Sequence, residues 1–176
     1  IISPDEGGTG RAVYMATVLG VDMGMFYKRR DYSKIVNGRN PIVAHEFLGS
    51  SVEGKDVIIV DDMISSGDSM IEVASLLKER GAKNIYMCAT FGLFTNGLDS
   101  FDEAYRKGVF TKLVTTNLVY QRPELLQRPY YISCDMSKYI ALLIDTLNHD
   151  ASISSLLDPV DRIQKVLKKF ENHEKI

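Results

Sequence analysis

Two cysteines in 176 residues, Cys88 and Cys134, exclude a disulfide scaffold and, by themselves, a four-ligand zinc site. The three histidines, His45, His149 and His173, stand apart without the spacing of metal ligands and read as surface or structural residues. Long hydrophobic runs are missing too. The longest wholly apolar stretch, Tyr139–Ile144, is far short of the ~20 residues that span a bilayer. Neither sign of charge dominates: 21 Lys and Arg face 23 Asp and Glu, a formal net charge of −2. Nothing therefore draws the whole molecule to nucleic acid or to an anionic membrane, and any grip on an anion must be local. The first residues show no initiator Met, basic segment or small-residue cleavage site. The opening Ile1-Ile2-Ser3-Pro4-Asp5-Glu6-Gly7-Gly8 reads as the end of a buried strand entering a loop, as expected of a fragment of a longer protein. Repeats and low-complexity tracts are absent.

What is present is an ordinary globular composition, 45% hydrophobic and 25% charged, long enough for one domain with a sizeable core. Strand and helix signals alternate. Ile1 and Ile2 end a strand, and Pro4, Gly7, Gly8 and Gly10 make a loop. Ala12, Met15, Ala16 and Leu19 form an i, i+3, i+4, i+7 helical stripe closed by Gly20. Val21–Tyr27 reads as a strand, Lys28–Asn40 as a long basic loop, and Pro41–Leu48 as a short strand. The apolar, β-branched run Val57–Val60 suits a strand buried on both faces of a parallel sheet, with Asp61–Ser69 as the loop after it. Met70, Val73, Ala74 and Leu77 make a second stripe ending at Gly81. Strands are expected at Ile85–Phe91, Lys112–Thr116 and Tyr130–Ser133, and a helix over 99–107. Two further stripes, Met136–Leu147 and Val160–Phe170, are expected to face the core, the second helix starting near Asp158-Pro159. Cys88 reads as inert core, and Cys134 has no base beside it. Strands alternating with three-turn helices predict an α/β fold, a mainly parallel sheet flanked by helices, with ligands outside the carboxyl ends of the strands. A domain over 1–157 and a helical extension over 158–176 are expected.

The chemically loaded segments cluster at those ends. Val57–Val60 delivers two adjacent carboxylates, Asp61 and Asp62, followed by the hydroxyl-rich turn Ser65-Ser66-Gly67-Asp68-Ser69 at a helix start. Such a turn offers unpaired N–H groups, hydroxyls and the positive end of the helix dipole, and carboxylates beside it accept bonds from vicinal hydroxyls. The combination fits a sugar phosphate. The bland alternative is a helix-start loop with solvated aspartates.

The run Asp61–Ser69 resembles the ribose-5-phosphate signature of the type I phosphoribosyltransferase fold. Ser3-Pro4-Asp5-x-Gly7-Gly8 with Arg11 beyond, Lys28-x-Arg30, Asp61-Asp62-Met63, Ala89–Gly97 and Thr116-Asn117 together resemble the C-terminal half of the ribose-phosphate pyrophosphokinase family. The resemblance implies transfer of the pyrophosphoryl group of ATP to the anomeric hydroxyl of ribose 5-phosphate. It implies Asp61 and Asp62 on the ribose hydroxyls, Ser65–Ser69 on the 5-phosphate, and Lys28 and Arg30 as catalytic cations on a mobile loop. It also implies Asp5 as a ligand of Mg²⁺, the metal's histidine partner lying in the N-terminal half of the protein, and a cytoplasmic homo-oligomer, a hexamer in the family. Ser65 stands where the family usually has Asp, Asp68 where it has Gly, and Phe91 where it has His; the chain also runs past the family's usual end after Asp158. Two other readings stay open: a phosphoribosyltransferase using phosphoribosyl pyrophosphate, and a catalytically weak, regulatory paralogue. Asp68 either faces the phosphate or serves the helix start.

Overall fold

The computed structural model describes residues 1–30 and 42–172, with the backbone alone for 28–30 and 42–45. Among these residues seven strands form one sheet: β1 Ile2–Ser3, β2 Gly24–Arg30, β3 Ile42–Leu48, β4 Val57–Ile64, β5 Ile85–Gly92, β6 Lys112–Thr116 and β7 Tyr131–Cys134. Their order is β3-β2-β1-β4-β5-β6-β7, and every neighbouring pair is parallel except the antiparallel β2–β3 ribbon. Among the described residues seven helices flank it: α1 Thr9–Leu19, α2 Asp68–Glu79, α3 Asp99–Arg106, α4 Pro123–Leu126, α5 Ser137–Asn148, α6 Ser154–Leu157 and α7 Val160–Glu171. The expected mainly parallel α/β sheet is what the chain forms.

The core lies where wholly apolar strands meet helical stripes. Ile59, Met87 and Leu113 from three neighbouring strands, with Ala74 and Leu77 of α2, are 0% exposed. Helix α1 buries only its Ala12, Ala16 and Val18 face, and Gly20 closes it at a left-handed φ of 67°.

Several boundaries differ from expectation. Strand β4 does not stop at Val60 but continues through Asp61, Asp62, Met63 and Ile64, because its ladder with β5 runs on through Asp61↔Ala89, Met63↔Phe91 and Ile64↔Gly92. Strand β2 starts at Gly24 instead of Val21 and includes Lys28 and Arg30, whose backbone pairs with His45 and Ile42. Those two residues are therefore strand residues; the rest of the expected loop, 31–40, lies outside the described residues. Short helices α4 and α6 carry no periodic signal that four residues suffice to show.

The stripes of α5 and α7 are not core. Neither helix buries a residue, and Ile144 is 62% and Phe170 69% exposed. A stripe marks an apolar face and is silent on what covers it. Helix α7 nevertheless comes back to the body of the domain: Gln164 Nε2 donates to the carbonyl of Val18 in α1 at 2.8 Å. Among the described residues, no helix is long and apolar enough to cross a membrane. Cys88 is partly buried in β5, where desolvation pushes its thiol up to about 11, so it stays an unreactive thiol at neutral pH.

Candidate active site

Strand order reverses at β1. From it the chain goes out to β2 and β3 on one side, then returns to lay β4 on the other. In open parallel sheets ligands bind at such a switch point, outside the carboxyl ends of the strands. β1, β2 and β4 run parallel, so Ser3–Arg11, Lys28–Arg30 and Asp61–Ser69 all lie at this one end of the sheet.

The loop after β1 is held by its own side chains. Ser3, fully buried, donates its hydroxyl to the Asp5 carbonyl at 2.7 Å. The Gly8 N–H donates to Asp5 Oδ1 at 3.1 Å. A Cβ at Gly8 would stand 2.6 Å from Ser3 Oγ, so the position has no room for a side chain. Asp5 thus presents a carboxylate with one oxygen engaged by its loop.

Arg11, in the first turns of α1, reaches across to β4. Its Nη1 is 3.4 Å from Asp61 Oδ1 and its Nη2 is 3.7 Å from Asp62 Oδ1. This single guanidinium gathers the two carboxylates. Sequence reading placed Arg11 in a motif without a role; a cation just inside the helix that follows a Gly-rich loop was the available signal. Burial pushes the Asp61 carboxyl up to about 6, with the neighbouring Asp62 and Asp5 adding to the rise. Asp62 moves the other way, held down by its hydrogen bond with Asp61 and, among smaller contributions, by Arg11.

Beyond Ile64 the chain turns through Ser65, Ser66 and Gly67 into α2. Gly67 has φ 94°, a left-handed value that suits glycine, and is the residue before the helix. A Cβ there would lie 2.1 Å from Cζ of Phe101 in α3. The leading N–H groups of α2 have no partner within the helix and face the crevice end. The loop's hydroxyls are not all free: Ser66 Oγ donates to Asp68 Oδ2 at 2.9 Å and accepts from the Asp68 N–H at 3.4 Å.

Asp68 is an exposed first-turn acid of α2, the position the helix dipole favours for a carboxylate. Being exposed, it interacts with a nearby anion through a nearly aqueous dielectric, where like charges ~6 Å apart repel by less than 1 kcal/mol. Asp68→Gly is therefore expected to lower stability by ~0.3–1 kcal/mol in melts while changing ribose 5-phosphate affinity less than about threefold by calorimetry. A gain beyond tenfold would place the carboxylate against the phosphate instead.

The site is an open crevice. A cavity of ≈ 580 Å³ lies elsewhere, lined by the segment leaving α1, residues 19–24, and the start of β4, with Phe47 and Val52. None of Asp5, Arg11, Asp61 or Ser65–Ser69 borders it. The charged groups and the helix start converge at the crevice instead. The side chains of Lys28 and Arg30 lie outside the described residues. Among the described residues, no cluster of three His, Cys, Asp or Glu suited to a metal ion occurs.

Comparison with known proteins bears on the family and the fold. The family described as "Phosphoribosyl transferase domain" matches residues 1–128. A ribose-phosphate pyrophosphokinase of Vibrio parahaemolyticus is 31% identical over 160 residues, 90% of this chain and 48% of the relative. One from Thermococcus kodakarensis is 41% identical over 97 residues, 55% of this chain and 32% of the relative. The chain spans about half the length of the curated relatives it matches, or less. The fold is shared with the crystal structure of phosphoribosylpyrophosphate synthetase from Mycobacterium smegmatis, at a TM-score of 0.70 and 23% identity over 85% of this chain and 45% of that one.

Proposed function

The chain belongs to the phosphoribosyltransferase domain family, and on that premise we propose that it is the ribose-phosphate-binding half of a ribose-phosphate pyrophosphokinase. One observation carries the reading: the carboxylate pair Asp61–Asp62 and the helix-start turn Ser65–Ser69 meet at the switch point, with the Lys28–Arg30 segment ending at the same end of the sheet. The names of the relatives and the half-length coverage support it.

In the proposed reaction the anomeric hydroxyl oxygen of ribose 5-phosphate attacks the β-phosphorus of ATP. The bond from that phosphorus to the α,β-bridging oxygen breaks, AMP leaves with its electron pair, and the hydroxyl proton passes to solvent or a base. Such a transfer asks the protein for positioning and charge neutralisation. Asp61 and Asp62 accept bonds from the vicinal ribose hydroxyls and set the anomeric oxygen's direction. The turn at the α2 start holds the 5-phosphate by N–H groups, hydroxyls and dipole. Lys28 and Arg30 meet the charge of the transferring group. Asp5 fits Mg²⁺ as the one carboxylate that this ion commonly takes beside substrate phosphates and water. When bound, Mg²⁺ supplies neutralisation of phosphate charge. We further propose ATP as the donor, the complementary N-terminal half as the partner lobe, a cytoplasmic location, and homo-oligomeric assembly. The exposed apolar face of α5 supports the last.

The test of the whole reading is AMP formation from ATP and ribose 5-phosphate by the complete protein. A protein that binds both and forms no AMP favours the weak paralogue; one that consumes phosphoribosyl pyrophosphate with a base favours the transferase.

The raised carboxyl of Asp61 carries a pH signature. Its proton is held more tightly in the folded chain than the ordinary carboxylate value near 4. Its contribution to stability is therefore complete below about pH 4 and lost as pH climbs through about 6. Ribose binding runs in the opposite sense, since the hydroxyls need an ionised acceptor. Affinity for ribose 5-phosphate is expected to rise several-fold from pH 5 to 7 beyond the rise in Asp61→Asn. The phosphate's own second ionisation, near pH 6, is common to both proteins, so their difference isolates Asp61. Parallel pH profiles would remove Asp61 from the ribose site.

A further inference from the structure

We propose that the aromatic pair Phe94–Phe101 positions the phosphate loop, setting the pose of Ser65–Ser69 and through it the affinity for the sugar phosphate; the ligand half of this statement rests on the function proposed above. Phe101, 0% exposed, puts its ring tip under Gly67, where even a Cβ would come within 2.1 Å. The loop backbone thus lies directly on the ring. Phe94, 3% exposed, meets Phe101 edge-on, with centroids 5.3 Å apart at 78°. It also meets Tyr131 of β7 edge-on at 6.4 Å.

The backbone at Phe94 makes the second half of the clamp. Its φ is 50°, a left-handed value that a bulky residue adopts only where its surroundings enforce it. That turn sends the ring into the core while the N–H groups on either side point at the loop. Leu93 N–H donates to the Ile64 carbonyl at 2.8 Å, and Thr95 N–H donates to the Ser65 carbonyl at 3.0 Å. Gly92 makes room, since a Cβ there would sit 2.6 Å from Phe94 Cε2. The loop is therefore held from below by one ring and from the side by two hydrogen bonds that flank the other. Neither phenylalanine touches the crevice, so both act as positioning residues.

Phe101→Tyr tests this in the complete protein, because it adds one oxygen at the atom that faces Gly67. Phe110→Leu is the control: Phe110 is as buried, at 3%, but packs against Tyr105 and Tyr130 just before β6, at the far end of that strand. Calorimetry with ribose 5-phosphate should show affinity falling at least about tenfold in Phe101→Tyr and staying within about twofold in Phe110→Leu. Hydrogen exchange read by mass spectrometry, without ligand, should quicken across 64–70 in the first and not in the second, although melts fall in both. If Phe101→Tyr gives no cooperative melt, Phe101→Leu, which withdraws the ring tip, is read in the same two ways with the same expectation. Unchanged exchange over 64–70, or equal loss of affinity in the control, overturns the proposal. A parent protein that binds no ribose 5-phosphate overturns the functional reading instead, and exchange over 64–70 still decides the positioning role.

Discussion

Gly67→Ala is expected to weaken ribose 5-phosphate binding by about 100-fold, the scale of a ~1 Å misplacement at a preorganised site. Two costs converge on the one methyl group. The backbone at φ 94° is a conformation that a Cβ disfavours by ~1–2 kcal/mol. The methyl would also meet Phe101 at 2.1 Å, and forcing an extra carbon into a filled core costs ~1–3 kcal/mol. The chain relieves both by moving the loop, which is the part proposed to hold the 5-phosphate. A double-mutant cycle with Phe101→Leu separates them: relief of the contact should restore part of the stability, and the left-handed cost should remain. Calorimetry at a temperature where the variant is fully folded gives the affinity. Wild-type affinity in Gly67→Ala would show that this turn is not the phosphate cradle.

Lys28→Ala is expected to lower kcat of the complete protein by about 10²–10³, with ribose 5-phosphate affinity changed little. Asp5, Asp61, Asp62 and Asp68 bring four carboxylates to the crevice end, and among the described residues Arg11 is the cation paired there, with Asp61 and Asp62 alone. A polyphosphate donor entering this field needs further positive charge, and Lys28 and Arg30 stand on the strand next to β1, at its carboxyl end. A cation that meets the transferring group chiefly in the transition state affects turnover more than ground-state binding. Pre-steady-state and steady-state assays of AMP release measure the effect. Unchanged kcat removes Lys28 from the mechanism.

The parts of this arrangement that could be read in the sequence were those encoded locally. Four apolar residues, two aspartates and a Ser/Gly turn marked β4 and the loop, because burial on both faces and helix-start chemistry each leave a contiguous signature. The strand's true end did not show. Asp61 and Asp62 look like loop residues by side chain, yet their backbone stays in register with β5, a partner more than 20 residues away. Lys28–Arg30 looked like the start of a basic loop for the same reason, while its antiparallel partner in β3 keeps it extended. The stripes of α5 and α7 were legible as helices but not as exposed ones, since periodicity reports a face and not its neighbour. Phe101 left no trace at all: it sits 34 positions after the glycine it supports, and its spacing in α3 is that of any core residue.

β1 is the strand at which the order of the sheet reverses, with β2 on one side and β4 on the other. It joins β2 through Ile2↔Gly24 and Ser3↔Met25 and β4 through Ile2↔Ile59. The switch at β1 is thus a seam between the two halves of the sheet, and the crevice opens at its carboxyl end. Asp5 and Arg11 stand on one bank and Asp61 to Ser69 on the other, so a sugar phosphate that touches both is a stitch across the seam. Occupancy and cohesion are then one equilibrium. A hundredfold excess of ligand over its dissociation constant adds ~2.7 kcal/mol to stability. That gain should be felt most along this seam, with exchange slowing first at Ile2 and Ile59.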